Sequence, residues 1–347
     1  MLLLFCLSCT GELAGAQSFP MTLTDSIGRS VTLDSPVNRV VCTATQHLET
    51  LRSIKVSRDV LVGVPGLRGY SYFSEFQDIT NIGQYFEPDL DKIVELEPDL
   101  VIFHPGPGPL GDSLAPKIDV LENSGINVIC LYCNRPDLYA DEVKILGQIF
   151  GREEEADLFI DFYEGVIDSI ADETDSLSRA DRPLVYSEWR PYTTFNLDSY
   201  PIEMAGGSYI FSGQDVRDVD PEDISSSNPD VILVLLSSAD YDGLRASDLS
   251  DLERAREDIM SRPELQEVTA VQEGRVYVMT SPLWVYLPYS SCRYFIGIAY
   301  LAKWFHPQLF PDLDPEEIHQ EYLTEFQGLD MDLQDRGVYV YPREEAD

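Results

Sequence analysis

Short, continuous apolar runs alternate with segments of helical period over two stretches of this chain. In the first, Arg39 to Cys42, Val60 to Val64, Leu100 to Phe103 and Asn127 to Leu131 read as buried strands. Helical segments lie between them near Gln46 to Ile54, Leu90 to Leu96 and Pro116 to Asn123. In the second, strands are expected at Pro183 to Tyr186, Val231 to Leu236 and Arg275 to Met279, with helices near Ser199 to Ala205 and Asp251 to Met260. Strands that are apolar throughout, separated by helices, indicate parallel sheets covered on both faces. A hairpin from Met21 to Val37 precedes the first alternation, turning at Ile27-Gly28-Arg29.

Between the alternations the period changes to that of a helix. Val143, Leu146, Ile149, Phe150, Ala156, Phe159, Val166 and Ile170 recur on one face, with Gly147 and Gly151 as the interruptions. A helix of about 30 residues would be about 45 Å long, enough to run the height of a two-lobed protein. The pattern therefore predicts an α/β chain of two lobes with parallel central sheets, joined by one long backbone helix. Its parts are a leader at 1–16, a first lobe at 17–137, a connecting helix at 138–174, a second lobe at 175–306 and a tail at 307–347. Asp314-Pro315-Glu316-Glu317 starts a helix in that tail, with an N-cap Asp, a Pro at the first helical position and acids in the first turn.

An internal similarity supports two related lobes. Asp89-Leu90-Asp91-Lys92-Ile93 leads to Glu97-Pro98-Asp99-Leu100, and Asp220-Pro221-Glu222-Asp223-Ile224 leads to Asn228-Pro229-Asp230-Val231 at the same spacing. Each reads as a capped helix, a Pro-Asp turn and a buried strand.

Composition narrows the function. The formal net charge is -37, from 61 acidic and 24 basic residues, and 19 of the basic residues are Arg. Such a surface repels phosphate backbones and excludes nucleic-acid binding, while favouring solubility in a saline setting outside the cell. Met1 to Leu7 followed by Ala14-Gly15-Ala16 resembles a secretion signal lacking its basic start. Cys9, after Leu7-Ser8, departs from a lipoprotein acylation site but leaves a lipid anchor open. Cys130 and Cys133 form a C-x-x-C without a second pair; packing or a structural disulfide explains them better than zinc or redox chemistry.

Catalytic signatures are missing: there is no nucleophile elbow, phosphate loop or H-E-x-x-H. The four histidines, His47, His104, His306 and His319, have no metal-ligand spacing. In open parallel sheets, ligands sit beyond the carboxyl ends of the strands. That rule selects Thr45, His47, Tyr70, Tyr72, Tyr85 and His104 in the first lobe. In the second it selects Trp189, Arg190, Tyr192, Trp284 and Tyr286. Aromatic faces with a few donors suit a large, flat, partly apolar ligand, whose acidic groups Arg68, Arg190 or Arg293 could meet.

Several segments resemble the cobalamin- and iron-siderophore-type periplasmic binding proteins of ABC importers. Arg39-Val40-Val41 followed by Glu49 is similar to the family's opening strand and helix. The run from Leu90 to Val101 is similar to its most recognisable segment, and Glu203-Met204-Ala205-Gly206-Gly207 to its helix-to-Gly-Gly element. The resemblance covers Met21 to Phe305. It implies Rossmann-like lobes with small closure motions, a metal chelate (corrinoid, ferric siderophore or haem) held between them, and docking on an ABC permease and its ATPase. Asp91 and Glu203 stand where the family carries its two docking acids, although the first is usually Glu. Tyr85, Tyr70 or His47 are the residues it offers for metal ligation or stacking. A non-enzymatic, monomeric, exported protein is expected, periplasmic or at the cell surface. No resident cofactor is expected, iron or cobalt arriving inside the ligand. The alternatives are a bilobal chelatase-like enzyme, a receptor without transport, and a binder of molybdate or tungstate.

Overall fold

The computed structural model describes residues 17–67, 71–106, 111–195, 198–214, 217–236, 248–280, 292–334 and 337–342, with the backbone alone at 111–113. The chain opens with an antiparallel hairpin, β1 (Met21–Thr24) and β2 (Ser30–Leu33), which sets Thr22 opposite Thr32. The first lobe follows as β3 (Val40–Cys42), α1 (Thr45–Ser53), β4 (Leu61–Val64), β5 (Thr80–Asn81), a small ribbon of β6 (Gly83–Gln84) and β7 (Glu87–Pro88), α2 (Leu90–Glu95), β8 (Leu100–Phe103), α3 (Gly111–Asn123) and β9 (Asn127–Cys130). Its sheet is parallel throughout, in the order β5-β4-β3-β8-β9. Successive residues face opposite sides, as strand geometry requires. Val40, Cys42, Leu100, Ile102 and Ile129 enter one core, whereas Val41, Val101, Phe103, Val128 and Cys130 enter another beside Ile93, Ile118 and Leu121 of α2 and α3.

Two helices follow, α4 (Tyr139–Phe150) and α5 (Glu153–Thr174). The unbroken helix expected over 138–174 is thus divided. Gly151 adopts a left-handed φ of 63° and caps α4, a conformation that costs a glycine little. The connecting strut is α5 alone, about 33 Å long at 1.5 Å per residue. Gly147, the other interruption, remains inside α4, where a side chain has no room: a Cβ would lie 2.7 Å from Ala156 Cβ and 3.2 Å from the Arg152 carbonyl. Gly147→Val is therefore expected to cost about 1–3 kcal/mol by overpacking, read from the urea unfolding midpoint. An unchanged midpoint would mean that α4 and α5 do not pack so closely.

The second lobe comprises β10 (Leu184–Glu188), α6 (Ser199–Met204), β11 (Ser208–Tyr209), α7 (Pro221–Ser227), β12 (Val231–Leu236), α8 (Ser250–Ser261), α9 (Thr269–Gln272), β13 (Val276–Thr280), α10 (Tyr294–Phe305), α11 (Pro315–Glu321) and β14 (Val340–Tyr341). Its sheet runs β11-β10-β12-β13-β14, parallel except for β14. The tail, expected only as a helix, thus also contributes an edge strand.

The internal repeat has the same local chemistry in both lobes. Asp89 and Asp220 cap α2 and α7, accepting from the N–H groups of Lys92 and Glu222. Glu97 and Asn228 both turn the chain at a φ of 46°. Asp99 Oδ2 then accepts from the Arg39 N–H at 2.9 Å, and Asp230 Oδ2 from the Leu184 N–H at 2.8 Å, pinning the start of each first strand. In each lobe strand order reverses beside that strand, between β3 and β8 and between β10 and β12.

One apolar core runs through both lobes, with α5 at its centre. Phe162 stacks on Phe326 at 4.7 Å and meets Phe295 of α10 edge-on at 5.7 Å, while Phe159 lies 5.2 Å from Phe326. The tail also reaches α1 of the first lobe. Tyr322 donates to Glu49 at 2.8 Å, and Gln327 joins Arg52 and Ser53, each at 2.6 Å. Among the described residues no helix is long and apolar enough to cross a membrane.

Candidate ligand-binding site

The switch point of the first sheet carries the two best-placed histidines. Past the end of β3, Thr43 Oγ1 accepts the His104 N–H at 2.8 Å, tying the two loops together. Thr45, half-buried, opens α1 just beyond. His47 follows, wholly buried, with Nε2 2.8 Å from the Leu131 carbonyl, which must accept; its Nδ1 is buried without a partner. His104 is 4% exposed, and its Nδ1 accepts from the Gly106 N–H at 2.9 Å, so the ring proton belongs on Nε2. The rings lie 6.0 Å apart. Burial pushes His47 down to about 3, with His104 adding to the effect, and burial pushes His104 down to about 4. Both are therefore neutral near pH 7.

Around His104 the surface is aromatic. Tyr85 and Tyr132 meet its ring edge-on, each at 5.7 Å, and Phe86, 50% exposed, meets Tyr85 edge-on at 5.2 Å. Arg135 lies over the Tyr132 ring at 5.2 Å and donates to Asp137. This wall is uncharged at its centre, where the His104 ring is neutral. Tyr132 was not among the predicted residues, although it follows the end of β9 and the strand-end rule would have selected it.

At the second switch point a buried acid sets the geometry. Glu188 ends β10 at 3% exposure and takes a two-pronged bond from Arg262 at 2.7 and 2.8 Å. It also accepts from the Tyr192 N–H at 2.9 Å, holding Tyr192 at a φ of 58° with the Arg262 guanidinium 4.7 Å from its ring centre. The Trp189 indole N–H donates to Asp198 at 3.0 Å, and its ring meets Phe195 edge-on at 5.5 Å. Both rings are half-buried and held, whereas Arg190 is exposed and makes no ion pair among the described residues. Arg262 and Asp198 carried no sequence signal, and Glu188, which opens the loop that the strand-end rule selects, gave no sign of being a buried acid, because their partners lie far along the chain or across a turn.

Some predicted residues lie elsewhere. Tyr72 is in the core: it is 6% exposed, donates to Glu49 at 2.7 Å and lies beneath the Arg293 guanidinium at 3.9 Å. Arg293, offered for ligand carboxylates, instead pairs with Glu49 through Nε at 2.9 Å, both groups buried. Tyr72 bonds Glu49 through its hydroxyl and lies under Arg293, so both residues are committed to this buried cluster. His306 bonds the Gly206 carbonyl at 3.0 Å, and His319 is wholly buried. Cys42, Cys130, Cys133 and Cys292 are buried free thiols, so packing, not a disulfide, accounts for the C-x-x-C. Arg68, Tyr70, Trp284 and Tyr286 lie outside the described residues. Among the described residues no group of three metal-ligating side chains converges. Asp91 is exposed in the first turn of α2, and Glu203 is exposed near the end of α6, accepting from Ser212 Oγ at 2.8 Å.

Comparison with known proteins agrees with this architecture. The chain is similar to a cobalamin-binding protein of Halobacterium salinarum, 26% identical over 231 residues, covering 64% of this chain and 60% of that protein. The match therefore spans less than two thirds of that relative. It is also similar to the ferric-anguibactin-binding protein FatB of Vibrio anguillarum, 21% identical over 275 residues, covering 76% of this chain and 81% of that one. Among solved structures, the TroA-like periplasmic binding protein FepB of Veillonella parvula superposes with a TM-score of 0.77 at 21% identity, over 92% of this chain and 99% of the other. The family described as periplasmic binding protein matches residues 40–283, more than half the chain, and to that family the chain belongs.

Proposed function

We propose that this chain is the extracytoplasmic substrate-binding protein of an ABC importer, holding a metal chelate between its lobes. The observation that carries the reading is a paired one. Aromatic rings gather beside each point of strand-order reversal: Tyr85 and Phe86 of the β6–β7 turn and Tyr132 after β9 surround His104 in one lobe, and Trp189 and Tyr192 follow β10 in the other. Flat apolar faces with few charges suit a corrinoid, a haem or an aromatic ferric chelate better than a small oxyanion, which needs mostly donors. The names of the relatives, cobalamin-binding and ferric-anguibactin-binding, support the same class.

The deciding measurement is the visible spectrum of the purified protein after gel filtration with hydroxocobalamin, haem or a ferric siderophore. One of the three is expected to remain bound and keep its colour. Loss of colour with all three would reject the chelate reading.

Delivery requires a partner. Asp91 and Glu203, both exposed, are the carboxylates we assign to two-point docking on permease arginines, each able to take a bidentate pair. Asp91→Ala with Glu203→Ala is expected to cut uptake by at least about tenfold, roughly 1.4 kcal/mol of docking energy. Ligand retention in solution should be unchanged. Undiminished uptake would remove these residues from the docking surface.

A further inference from the structure

The tail borders a half-open cavity whose described lining shares no residue with the loops described above. As the chain leaves α10 and returns as β14, it leaves about 470 Å³ between α10, the start of α11 and the sheet edge. We infer that this cavity is a binding site for a small organic cation, an alkylammonium or guanidinium group on a compact apolar body.

Its floor is aromatic. Tyr300 and Trp304 project from successive turns of α10 with ring centres 5.8 Å apart, and Tyr277 stacks on Trp304 at 4.5 Å and 11°. Pro311, Leu313, Pro315, Val340 and Pro342 add to the apolar part. Its wall is acidic: Asp312, Asp314, Glu316 and Glu317 all line the space. Two of these are partly engaged. Asp314 caps α11, accepting from the N–H groups of Glu316 and Glu317 at 3.0 Å each, and Glu316 accepts from Gln334 at 2.6 Å. Among the described residues no base pairs with Asp312 or Glu317. Lys303, the one cation among the described lining residues, directs its ammonium to the carbonyls of Phe310 and Pro311 at 3.0 and 3.1 Å. Its charge is thus held at the loop that it ties down.

The chemistry selects the ligand class. A bare metal ion needs several oxygens converging on one point, and no group of three such residues does so among the described residues. An anion would meet four carboxylates. An organic cation gains from both surfaces: its charge faces the acids while its methyl or methylene groups lie on the rings, where aromatic faces attract positive charge. The volume is within the range of small-molecule pockets.

The test uses the whole chain and calorimetric titration with choline, with agmatine, and with dimethylbutanol, the uncharged carbon isostere of choline. Saturable binding of at least one cation is expected, with the neutral isostere at least about tenfold weaker. Added salt should weaken the cation in proportion to screening. Asp312→Asn with Glu317→Gln alters exposed groups and should leave the unfolding midpoint unchanged while weakening the cation at least about tenfold. Trp304→Leu should weaken it independently, and the exposed double variant keeps the test meaningful if Trp304→Leu fails to fold. No binding into the millimolar range, equal binding of the neutral isostere, or full affinity in the double variant would each overturn the assignment. None of these outcomes bears on the interlobe site, whose chelates are tested by colour.

Discussion

Arg293→Met is expected to lower stability by about 3–5 kcal/mol, because it leaves the Glu49 carboxylate buried without its countercharge. Glu49 is fully buried on α1, and a single oxygen accepts from Arg293 at 2.9 Å, Tyr72 at 2.7 Å and Tyr322 at 2.8 Å. Those three partners come from the entry to α10, the first lobe and the tail, so the group joins the lobes rather than serving one of them. Glu49→Leu should cost a similar amount by stranding the guanidinium. The double variant removes both charges and strands only hydroxyls, at about 1–3 kcal/mol each. It should therefore be no less stable than the worse single variant, a non-additivity that a double-mutant cycle in urea would read directly. Single variants within about 1 kcal/mol of wild type would show that the pair is open to water.

Acid should loosen the first lobe in a way that two residues dominate. His47 and His104 take up protons near pH 6.5 when the chain is unfolded, but only at about 3 and 4 when folded. Between pH 6.5 and 4 the unfolded state therefore binds more protons. Stability is complete above 6.5 and falls as pH falls, by about 1.4 kcal/mol per pH unit for each ring. Glu142 works in the opposite sense. Burial raises it to about 7 despite bonds from Ser26 and the Tyr132 and Cys133 N–H groups, so it weakens the fold as pH rises from 4.5. One proton's worth of loss remains, about 3 kcal/mol between pH 6.5 and 4.5. His104→Asn keeps an acceptor for the Gly106 N–H and should flatten the urea-midpoint profile by about one proton. A profile parallel to wild type would show that His104 titrates normally in the folded chain.

What could be read from the sequence depended on how locally each feature is encoded. The apolar strands, the capped α2 and α7, and the Pro-Asp turns carry their signals within a few residues, and they appear in both lobes with the same bonds. The strut was read in place but too long, since Gly151 could be a tolerated helical glycine or a cap and only the fold decides. α10 went unread because Tyr294 to Phe305 is apolar nearly all round, and a helix buried on every side has no polar face to give it a period. At the candidate site, the strand-end rule selects His104 and Trp189, which do follow strands, but it could not tell an aromatic at a strand end from a core one. Tyr72 was assigned to the cleft because the charge pair that claims it, Glu49 with Arg293, spans 244 residues. Tyr132, Glu188 and Arg262 act through partners that only the folded chain brings near.

The late position of the tail has a consequence for biosynthesis. Residues 314–342 furnish both the edge strand beside β13 and the phenol and amide that meet α1. A nascent chain can fold its first sheet early, yet the bonds from Tyr322 and Gln327 to α1 form only after the tail itself has been made.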